Sequence, residues 1–274
     1  GIIMVSISPF GQTGPYKDYK APDIVAAAMG GLMYVTGEPE GQPLRIGFPQ
    51  SYMHAAATAS VAALIAYYHC LTTGKGQHVD VSMSECMLPV SGNVSTFWYM
   101  LKENLKREGA FRAGTAGNAV IRLLWPCKDG YVSYAIMGTP SGARSNVKLI
   151  ALMEKEGMAN SLKSFNFDGF DRRTATQETQ TMVEKAVEPF FLKYTKGELL
   201  EMAIENGIML LPVYSPAELV EYPQLREREF WTSVEHTELN QSIIYPGPFI
   251  KSTATDCGIN CRAPLIGEHN EEIF

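Results

Sequence analysis

The stretch that decides the fold is Gly74-Lys75-Gly76-Gln77-His78-Val79-Asp80-Val81-Ser82-Met83-Ser84-Glu85-Cys86. Apolar and polar side chains alternate along its middle part, which is the period of a half-buried β-strand. The apolar positions are Val79, Val81 and Met83, and the polar positions are His78, Asp80 and Ser82. We expect Ser84 to cap a helix and Glu85 to lie in its first turn. The sequence therefore predicts a carboxylate where a strand ends and a helix begins, the edge at which open α/β sheets bind ligands.

The composition is that of a globular protein with a substantial core, since the 274 residues are 46% hydrophobic. Lys and Arg number 23 against 29 Asp and Glu, which gives a formal net charge of -6. No broad basic surface is therefore expected for nucleic acid or for an anionic membrane. An anionic ligand must instead be held by a few local donors.

The five cysteines are an odd number scattered along the chain, which favours reduced thiols in the cytoplasm over a disulfide framework. Cys257 and Cys261 lie close in sequence, but no second pair and no nearby histidine completes a zinc site. We therefore predict no metal site and no permanently bound cofactor.

The N-terminal residues show no signal peptide, because they lack a basic region and a cleavage site. Residues 2–7 form a nearly continuous apolar run, typical of a parallel strand covered on both faces. Since the chain starts directly in this strand, we expect it to be a fragment. The longest uncharged apolar run, residues 55–68, is shorter than the ~20 residues that cross a bilayer. The alanine-rich helix predicted around it is expected to be buried, under the sheet or in a subunit interface.

A loop dense in glycine and proline follows the first predicted strand, at residues 8–16. Loops at strand ends carry ligands disproportionately. This one offers flexible backbone N–H groups, the aromatic ring of Phe10, the backbone of Gly11 and the side chain of Gln12. An ordinary turn is the alternative interpretation.

The composition changes at residues 111–118, where glycine, alanine and threonine indicate that the chain leaves its first domain. Lys128-Asp129-Gly130 between two apolar runs predicts a β-hairpin. Two Ser/Thr-x-x-Glu patterns, starting at Thr195 and Ser215, predict helix capping boxes. These are structural signals without chemistry.

Several blocks of distinctive sequence are spread along nearly the whole chain. They are Ser6-Ile7-Ser8-Pro9-Phe10-Gly11-Gln12-Thr13-Gly14-Pro15-Tyr16, Asp23-Ile24-Val25-Ala26-Ala27-Ala28-Met29-Gly30-Gly31-Leu32-Met33, Thr72-Thr73-Gly74-Lys75-Gly76-Gln77-His78-Val79-Asp80-Val81-Ser82-Met83, Ser215-Pro216-Ala217-Glu218, Pro223-Gln224-Leu225-Arg226-Glu227-Arg228-Glu229-Phe230, Pro246-Gly247-Pro248-Phe249 and Pro264-Leu265-Ile266-Gly267-Glu268-His269. As a set and in this order, they resemble the class III CoA-transferase family, which includes formyl-CoA and carnitine CoA-transferases.

The resemblance implies an α/β fold in which a large Rossmann-like domain carries a smaller inserted α+β domain. On that basis we assign residues 1–115 to part of the large domain, 120–212 to the small domain, and 213–274 to a linker and a C-terminal return to the large domain. Members of the family are interlocked dimers, which implies a homodimer or a heteromer with a related subunit. The resemblance also implies that the family's N-terminal segment of the large domain is missing here or supplied elsewhere.

The position that matches the family's catalytic residue is Glu85. In this family an aspartate just after the strand that follows Gly-x-Gly-Gln attacks an acyl-CoA thioester, and CoA passes to a carboxylic acid through an enzyme carboxylate. The resemblance thus implies acyl-CoA and carboxylate substrates. Glutamate keeps the nucleophilic group but moves it by one methylene, and a misplacement of about 1 Å can cost on the order of 100-fold in rate.

The alternative is that Glu85 is an acid placed favourably in a first helical turn, without chemistry. The family contains hetero-oligomeric enzymes such as benzylsuccinate CoA-transferase, whose related subunits need not share the chemistry equally. Under this alternative the chain is a catalytically silent partner subunit of a hetero-oligomeric enzyme.

Other positions also match the family. Phe10, Gly11 and Gln12 match the loop that lines the CoA channel. Lys20 sits where the family often has a basic residue near a CoA phosphate, and a solvated loop lysine is the alternative. Nothing in the family pattern makes His78 or Asp80 catalytic, so we interpret both as structural.

The family's 2-methylacyl-CoA racemase branch is disfavoured. That branch moves a proton with a histidine placed directly before an Asp-Ile motif. Here Pro22 precedes Asp23-Ile24, and proline cannot move a proton.

Overall fold

A computed structural model describes residues 1–91, 94–112, 119–167, 170, 175–255 and 257–274. The chain forms two compact units, Gly1–Pro212 and Val213–Phe274. Most of the segment where we expected the chain to leave its first domain, residues 113–118, lies outside the described residues. The separation of a large and a small domain there stays a prediction.

The first part of unit 1 combines two parallel strands with helices. Its elements are β1 (Ile3–Ser8), α1 (Asp23–Met29), a 3₁₀ turn (Met33–Val35), α2 (Ser51–Thr73), β2 (Gln77–Ser82), α3 (Met87–Val90) and α4 (Val94–Leu101). β1 and β2 pair in parallel, from Ile3 opposite Gln77 to Ser8 opposite Ser82. Parallel neighbours need a long crossover connection, which the chain between them supplies with α1 and α2. The predicted α/β class is confirmed.

Small side chains allow α1 and α2 to approach the strands closely. Ala26, Ala55 and Ala59 are buried together with Val81 and Met83 of the β2 segment. α2 ends at Gly74, whose φ of 72° lies in the left-handed region that terminates many helices. The predicted alternation of β2 is confirmed, since its apolar positions face this core.

The prediction that α2 is buried within the chain is wrong. Its buried residues are Ser51, Ala55, Ala59 and Ala66. Leu64, Ile65 and Tyr68 on its other faces are each 65% or more exposed. Burial in a subunit interface stays a prediction. By length and composition alone α2 could also cross a membrane, but core helices of soluble proteins pass the same test.

β1 also departs from expectation, because it is not covered on both faces. Met4 is 59% exposed and Ile7 is 48% exposed. Both side chains would add to a hydrophobic core if another surface covered them.

The second part of unit 1 is built on a small antiparallel sheet. Its elements are β3 (Phe111–Arg112), β4 (Ile121–Arg122), β5 (Leu124–Cys127), β6 (Gly130–Ser133), α5 (Pro140–Lys155), a 3₁₀ helix (Asn160–Ser164), α6 (Gln177–Lys193), α7 (Lys196–Asn206) and β7 (Leu211–Pro212). The predicted hairpin is confirmed, with Cys127 opposite Gly130 at its turn. A single hydrophobic cluster that includes Trp125 and Phe191 packs the sheet against the helices. The two rings meet edge-on, with centroids 5.4 Å apart.

Unit 2 contains two short helices, a β-hairpin and a terminal helical turn. Its elements are α8 (Pro216–Glu221), α9 (Pro223–Glu227), β8 (Trp231–His236), a 3₁₀ turn (Thr237–Leu239), β9 (Gln241–Pro246) and α10 (Asn270–Ile273). β8 and β9 pair antiparallel, from Trp231 opposite Pro246 to His236 opposite Gln241.

An ion-pair network in unit 2 ties the C-terminal segment to the hairpin. The Arg262 guanidinium donates to both carboxylate oxygens of Glu268, at 2.8 and 2.7 Å. It also contacts Glu238, in the 3₁₀ turn between β8 and β9, at 3.0 Å. The hydrogen bond from Arg262, helped by the Leu265 amide, lowers the pKa of Glu268 to about 2.

Replacing Arg262 should return the pKa of Glu268 toward its ordinary value. A carboxyl whose pKa is lowered in the folded state stabilises that state above the ordinary carboxyl pKa and loses the effect as pH falls toward the lowered value. In Arg262→Gln this loss should therefore occur at higher pH than in the wild type. NMR titration of the Glu268 carboxyl carbon measures it, and Arg226→Gln, which breaks the exposed pair with Glu221, is the matched control. An unchanged Glu268 pKa in Arg262→Gln would contradict the assigned cause.

Candidate functional site

The parallel pairing of β1 with β2 brings two connecting segments to one edge of the sheet. Backbone hydrogen bonds continue beyond the strand ends: the Met83 amide donates to the Ser8 carbonyl at 2.9 Å, and the Ser84 amide donates to the Pro9 carbonyl at 3.0 Å. The glycine-rich loop after β1 and the turn that contains Glu85 therefore start side by side. This is the carboxyl edge at which the sequence predicts a site.

The loop after β1 presents aromatic and flexible groups at that edge. Phe10 is half-buried, and its ring centroid lies 5.8 Å from that of Tyr16. Gly11 is buried and has a φ of 84°, which a residue with a side chain adopts only with strain. Gln12 is exposed. Lys20 lies farther along the same loop, also exposed, and makes no ion pair among the residues that the structure describes.

Polar side chains of β2 reach across to the neighbouring segment. A ring nitrogen of His78 lies 2.8 Å from the Ser6 hydroxyl within the strand pair. Two residues later, Asp80 Oδ2 accepts a hydrogen bond of 2.8 Å from the backbone amide of Gln12. His78 thus joins the two strands, whereas Asp80 holds the loop.

The turn after β2 is capped by Ser82 rather than by the predicted Ser84. The Ser82 hydroxyl accepts from the Glu85 amide at 3.4 Å and lies 3.1 Å from the Ser84 hydroxyl. The Ser82 carbonyl accepts from the Cys86 amide at 3.1 Å, as in the first turn of a helix. The prediction of a helix starting at Ser84 is wrong by a few residues, since α3 begins at Met87.

The carboxylate of Glu85 is exposed, and it makes no hydrogen bond or ion pair within the described part of the chain. The spacing from Ser82 to Glu85 is that of a capping box, Ser-x-x-Glu. In the confirmed boxes at Thr195 and Ser215, the glutamate side chain accepts from the backbone amide of the capping residue. Glu85 makes no such bond within the described residues, and its capping residue, Ser82, is the last residue of β2.

Gly30, just after α1, packs directly beneath the Glu85 turn. A Cβ on Gly30 would lie 2.4 Å from the Met87 Cβ and 2.5 Å from the Ser84 carbonyl oxygen. Only a residue without a side chain allows this approach. Sequence reasoning did not connect Gly30 with the site, although the paired glycines after α1 were a signal of close packing.

Asp23 is engaged in a structural role. It is buried, and its Oδ1 accepts from the Ser51 amide at 2.8 Å and from the Ser51 hydroxyl at 2.9 Å. Its other oxygen lies 3.5 Å from Arg45 Nε. Asp23 therefore satisfies a backbone donor at the start of α2 and joins it to the start of α1.

The structure places the predicted site residues in two groups. Phe10, Gly11, Gln12 and Glu85 belong to the two segments that start together at the carboxyl edge, whereas Lys20 lies farther along the loop. Their roles stay predictions.

Cys257 and Cys261 are free and exposed, and the described residues contain no cluster of His, Cys, Asp or Glu suited to a metal ion.

A methyl group on Gly30 should disturb the Glu85 turn. We expect Gly30→Ala to lower the free energy of unfolding by about 1–3 kcal/mol, because its Cβ overlaps Met87 and the Ser84 carbonyl. Urea denaturation measures this. The matched control is Gly47→Ala, whose Cβ would meet no atom within 4 Å and whose effect should be small. Equal stability of the two variants would contradict the packing.

Comparisons with known proteins agree with these features. The profile of CoA-transferase family III matches residues 1–270. A subunit of the succinyl-CoA:(R)-benzylsuccinate CoA-transferase of Thauera aromatica is 32% identical over 277 residues, covering 100% of this chain and 65% of that protein. The formyl-CoA:oxalate CoA-transferase of Streptomyces avermitilis is 28% identical over 282 residues, covering 100% of this chain and 66% of that protein.

The fold has a counterpart among solved structures. A CAIB/BAIF family protein from Brucella suis matches with a TM-score of 0.79 at 24% identity, covering 99% of this chain and 67% of that one. The chain spans about 65% of the length of the curated relatives it matches. Since the family profile covers nearly every residue, the chain belongs to CoA-transferase family III.

Proposed function

We propose that this chain takes part in moving CoA between an acyl-CoA thioester and a carboxylic acid, with Glu85 as the attacking carboxylate. Membership of the family supports CoA transfer as the reaction class. Glu85 is supported as the group that carries it by its exposed side chain at the carboxyl edge of β1 and β2, and by the sequence resemblance, which matches it to the family's nucleophilic aspartate. The proposal concerns the protein to which this sequence belongs.

The observation that carries the proposal is the free carboxylate of Glu85. Glu198 and Glu218, which stabilise helix starts, each use the side chain to accept from a capping residue. Glu85 has the same spacing from a capping serine but leaves its carboxylate exposed at the sheet edge. A carboxylate without a partner in the chain is available to a substrate.

The proposed reaction consists of four acyl transfers in which atoms and charge balance. A Glu85 oxygen attacks the thioester carbonyl and the C–S bond breaks, giving a mixed anhydride and CoA thiolate. The thiolate attacks the Glu85 carbonyl of the anhydride, releasing the donor acid and leaving a Glu85–CoA thioester. The acceptor carboxylate attacks that thioester, giving a second anhydride and thiolate. The thiolate then attacks the acceptor carbonyl, which restores Glu85 and releases the new acyl-CoA.

The loop after β1 is proposed to line the path of CoA. Phe10, Gly11 and Gln12 lie beside the Glu85 turn, which supports this assignment. Lys20 is proposed to meet a CoA phosphate, supported by its exposed ammonium on the same loop. CoA is a substrate in this scheme, and we propose no resident cofactor.

The first acyl donor to test is succinyl-CoA, since the names of several relatives contain it.

We propose a cytoplasmic location, supported by five free cysteines. The racemase alternative stays disfavoured, because Pro22 offers no proton-transfer group and Asp23 is held by Ser51 and Arg45.

Incubation with succinyl-CoA should leave a covalent adduct on the peptide that contains Glu85. Glu85→Gln should reduce adduct formation by at least about 1000-fold, because an amide is a poor nucleophile. Intact-protein and peptide mass spectrometry measure the adduct and its site. Glu198→Gln, which removes a glutamate at the same spacing from a cap, is the matched control and should keep the adduct.

Glu85→Asp separates the two interpretations of this residue. If the site is adapted to glutamate, shortening the side chain should lower the rate on the order of 100-fold. No adduct in the wild type, together with activity gained in Glu85→Asp, would show that Glu85 is not the nucleophile.

The second candidate function is a partner subunit that stabilises or completes an active relative. It is supported by the exposed apolar side chains of α2 and β1, which are typical of surfaces covered in an assembly. Two of the relatives are named as subunits, one of a benzylsuccinate and one of a malate CoA-transferase. We propose on this basis a homodimer or a heteromer with a related chain.

We expect the purified protein to associate rather than remain a monomer. Burial of exposed side chains such as Leu64 and Tyr68 in an interface removes apolar surface from water, which lowers the free energy. Size-exclusion chromatography with light scattering measures the mass. Leu64→Glu should shift the population toward monomer, whereas Lys75→Glu, which changes a side chain outside the apolar face, should not. A stable, monodisperse wild-type monomer would contradict association.

A further inference from the structure

We infer that Asp80 is a positioning residue for acyl-CoA, acting through the loop after β1. The inference rests on the proposed function of that loop as the lining of the CoA path. Asp80 itself is assigned no chemistry. Its carboxylate holds the Gln12 amide, and the loop held in this way presents Phe10 and Gln12 at the edge where Glu85 lies.

The contact joins β2 to the loop after β1. Among the described residues, no other hydrogen bond runs from a side chain of β2 to the backbone of this loop. Asp80 Oδ2 accepts from the Gln12 amide at 2.8 Å, a charge-assisted bond between residues far apart in sequence. The donor belongs to the backbone, so the contact depends on the path of the loop and not on a rotamer of Gln12. A change at Asp80 should therefore alter the path of the backbone.

Gly11 shows how closely the loop lies on this carboxylate. A Cβ on Gly11 would be 3.4 Å from Asp80 Oδ2 and 3.7 Å from the Ser82 Cβ. Gly11 is buried with a φ of 84°. The backbone thus turns directly over Asp80 and Ser82, the residue that also caps the Glu85 turn. Ser82 therefore lies against both the loop and the turn.

An anchored loop matters for binding because ordering costs free energy. Glycine-rich segments lose more conformational freedom than others when they are fixed. If Asp80 orders the loop before the ligand arrives, the loss of conformational entropy does not reduce the free energy of acyl-CoA binding. Loss of the anchor should weaken binding more than it slows the chemistry at Glu85.

His78 provides an internal comparison. It lies on the same face of β2, two residues earlier, and contacts the Ser6 hydroxyl on the same neighbouring strand. His78→Ala removes a polar contact between β2 and β1, and Asp80→Ala removes one between β2 and the loop after β1. Only the Asp80 contact reaches the loop, so a general effect on the strand pair should appear in both variants and a positioning effect only in Asp80→Ala.

The experiment measures the dissociation constant of free CoA, which cannot acylate Glu85, by isothermal titration calorimetry for the full-length wild type, Asp80→Ala, Asp80→Asn and His78→Ala. Asp80→Ala should weaken binding about tenfold. Asp80→Asn keeps an oxygen that can accept from Gln12 and should stay within about threefold of wild type. His78→Ala should also stay near wild type. At saturating succinyl-CoA, adduct formation on Glu85 in Asp80→Ala should stay within about threefold of wild type, since the anchor acts on binding.

Amide hydrogen exchange of the peptide that spans residues 8–16 reports the loop directly. Exchange should accelerate in Asp80→Ala and remain near wild type in Asp80→Asn and His78→Ala. Two results overturn the positioning role alone, provided that the wild type binds. In one, Asp80→Ala and His78→Ala lose affinity equally; in the other, Asp80→Ala loses no affinity. No binding of succinyl-CoA or free CoA by the wild type overturns the proposed function, and the role of Asp80 in binding falls with it.

Discussion

The candidate site depends on the parallel pairing of β1 with β2. Because Ser8 lies opposite Ser82, both strands end at the same edge, and the segments that follow them start in contact. The glycine-rich loop and the Glu85 turn are far apart in sequence, so no local preference could bring them together. A change of register by one residue would turn the side chains of β2 to opposite faces. Asp80 would then no longer reach the Gln12 amide.

Three Ser/Thr-x-x-Glu patterns show how the sheet changes the meaning of a local motif. At Thr195 and Ser215 the capping residue stands directly before a helix, and its backbone amide donates to the glutamate side chain. At Ser82 the capping residue is the end of a strand, and the glutamate is left exposed. An acid that would elsewhere stabilise a helix start becomes a free carboxylate at the carboxyl edge. Gly30 then allows α1 to support the turn from below.

Much of the local structure followed from the sequence. The alternation in β2, the hairpin at Lys128-Asp129-Gly130 and the two capping boxes are set by nearest neighbours, and each was confirmed. The burial of α2 within this chain and the capping role of Ser84 were predicted wrongly. Helix burial depends on what else packs against the helix, and the cap was decided by where β2 ends, which no local pattern records.

By itself, the sequence determined the α/β class, the position of Glu85 just after a strand, and the family blocks that span the chain. The position of Glu85 follows from local periodicity, and the family blocks imply the fold by resemblance. Only the tertiary structure decided that the Glu85 carboxylate is free, that Asp80 holds the Gln12 amide, and that Gly30 lies beneath the turn. The last two are contacts between segments distant in sequence, and the pairing of β1 with β2 and the packing of α1 bring those segments within reach.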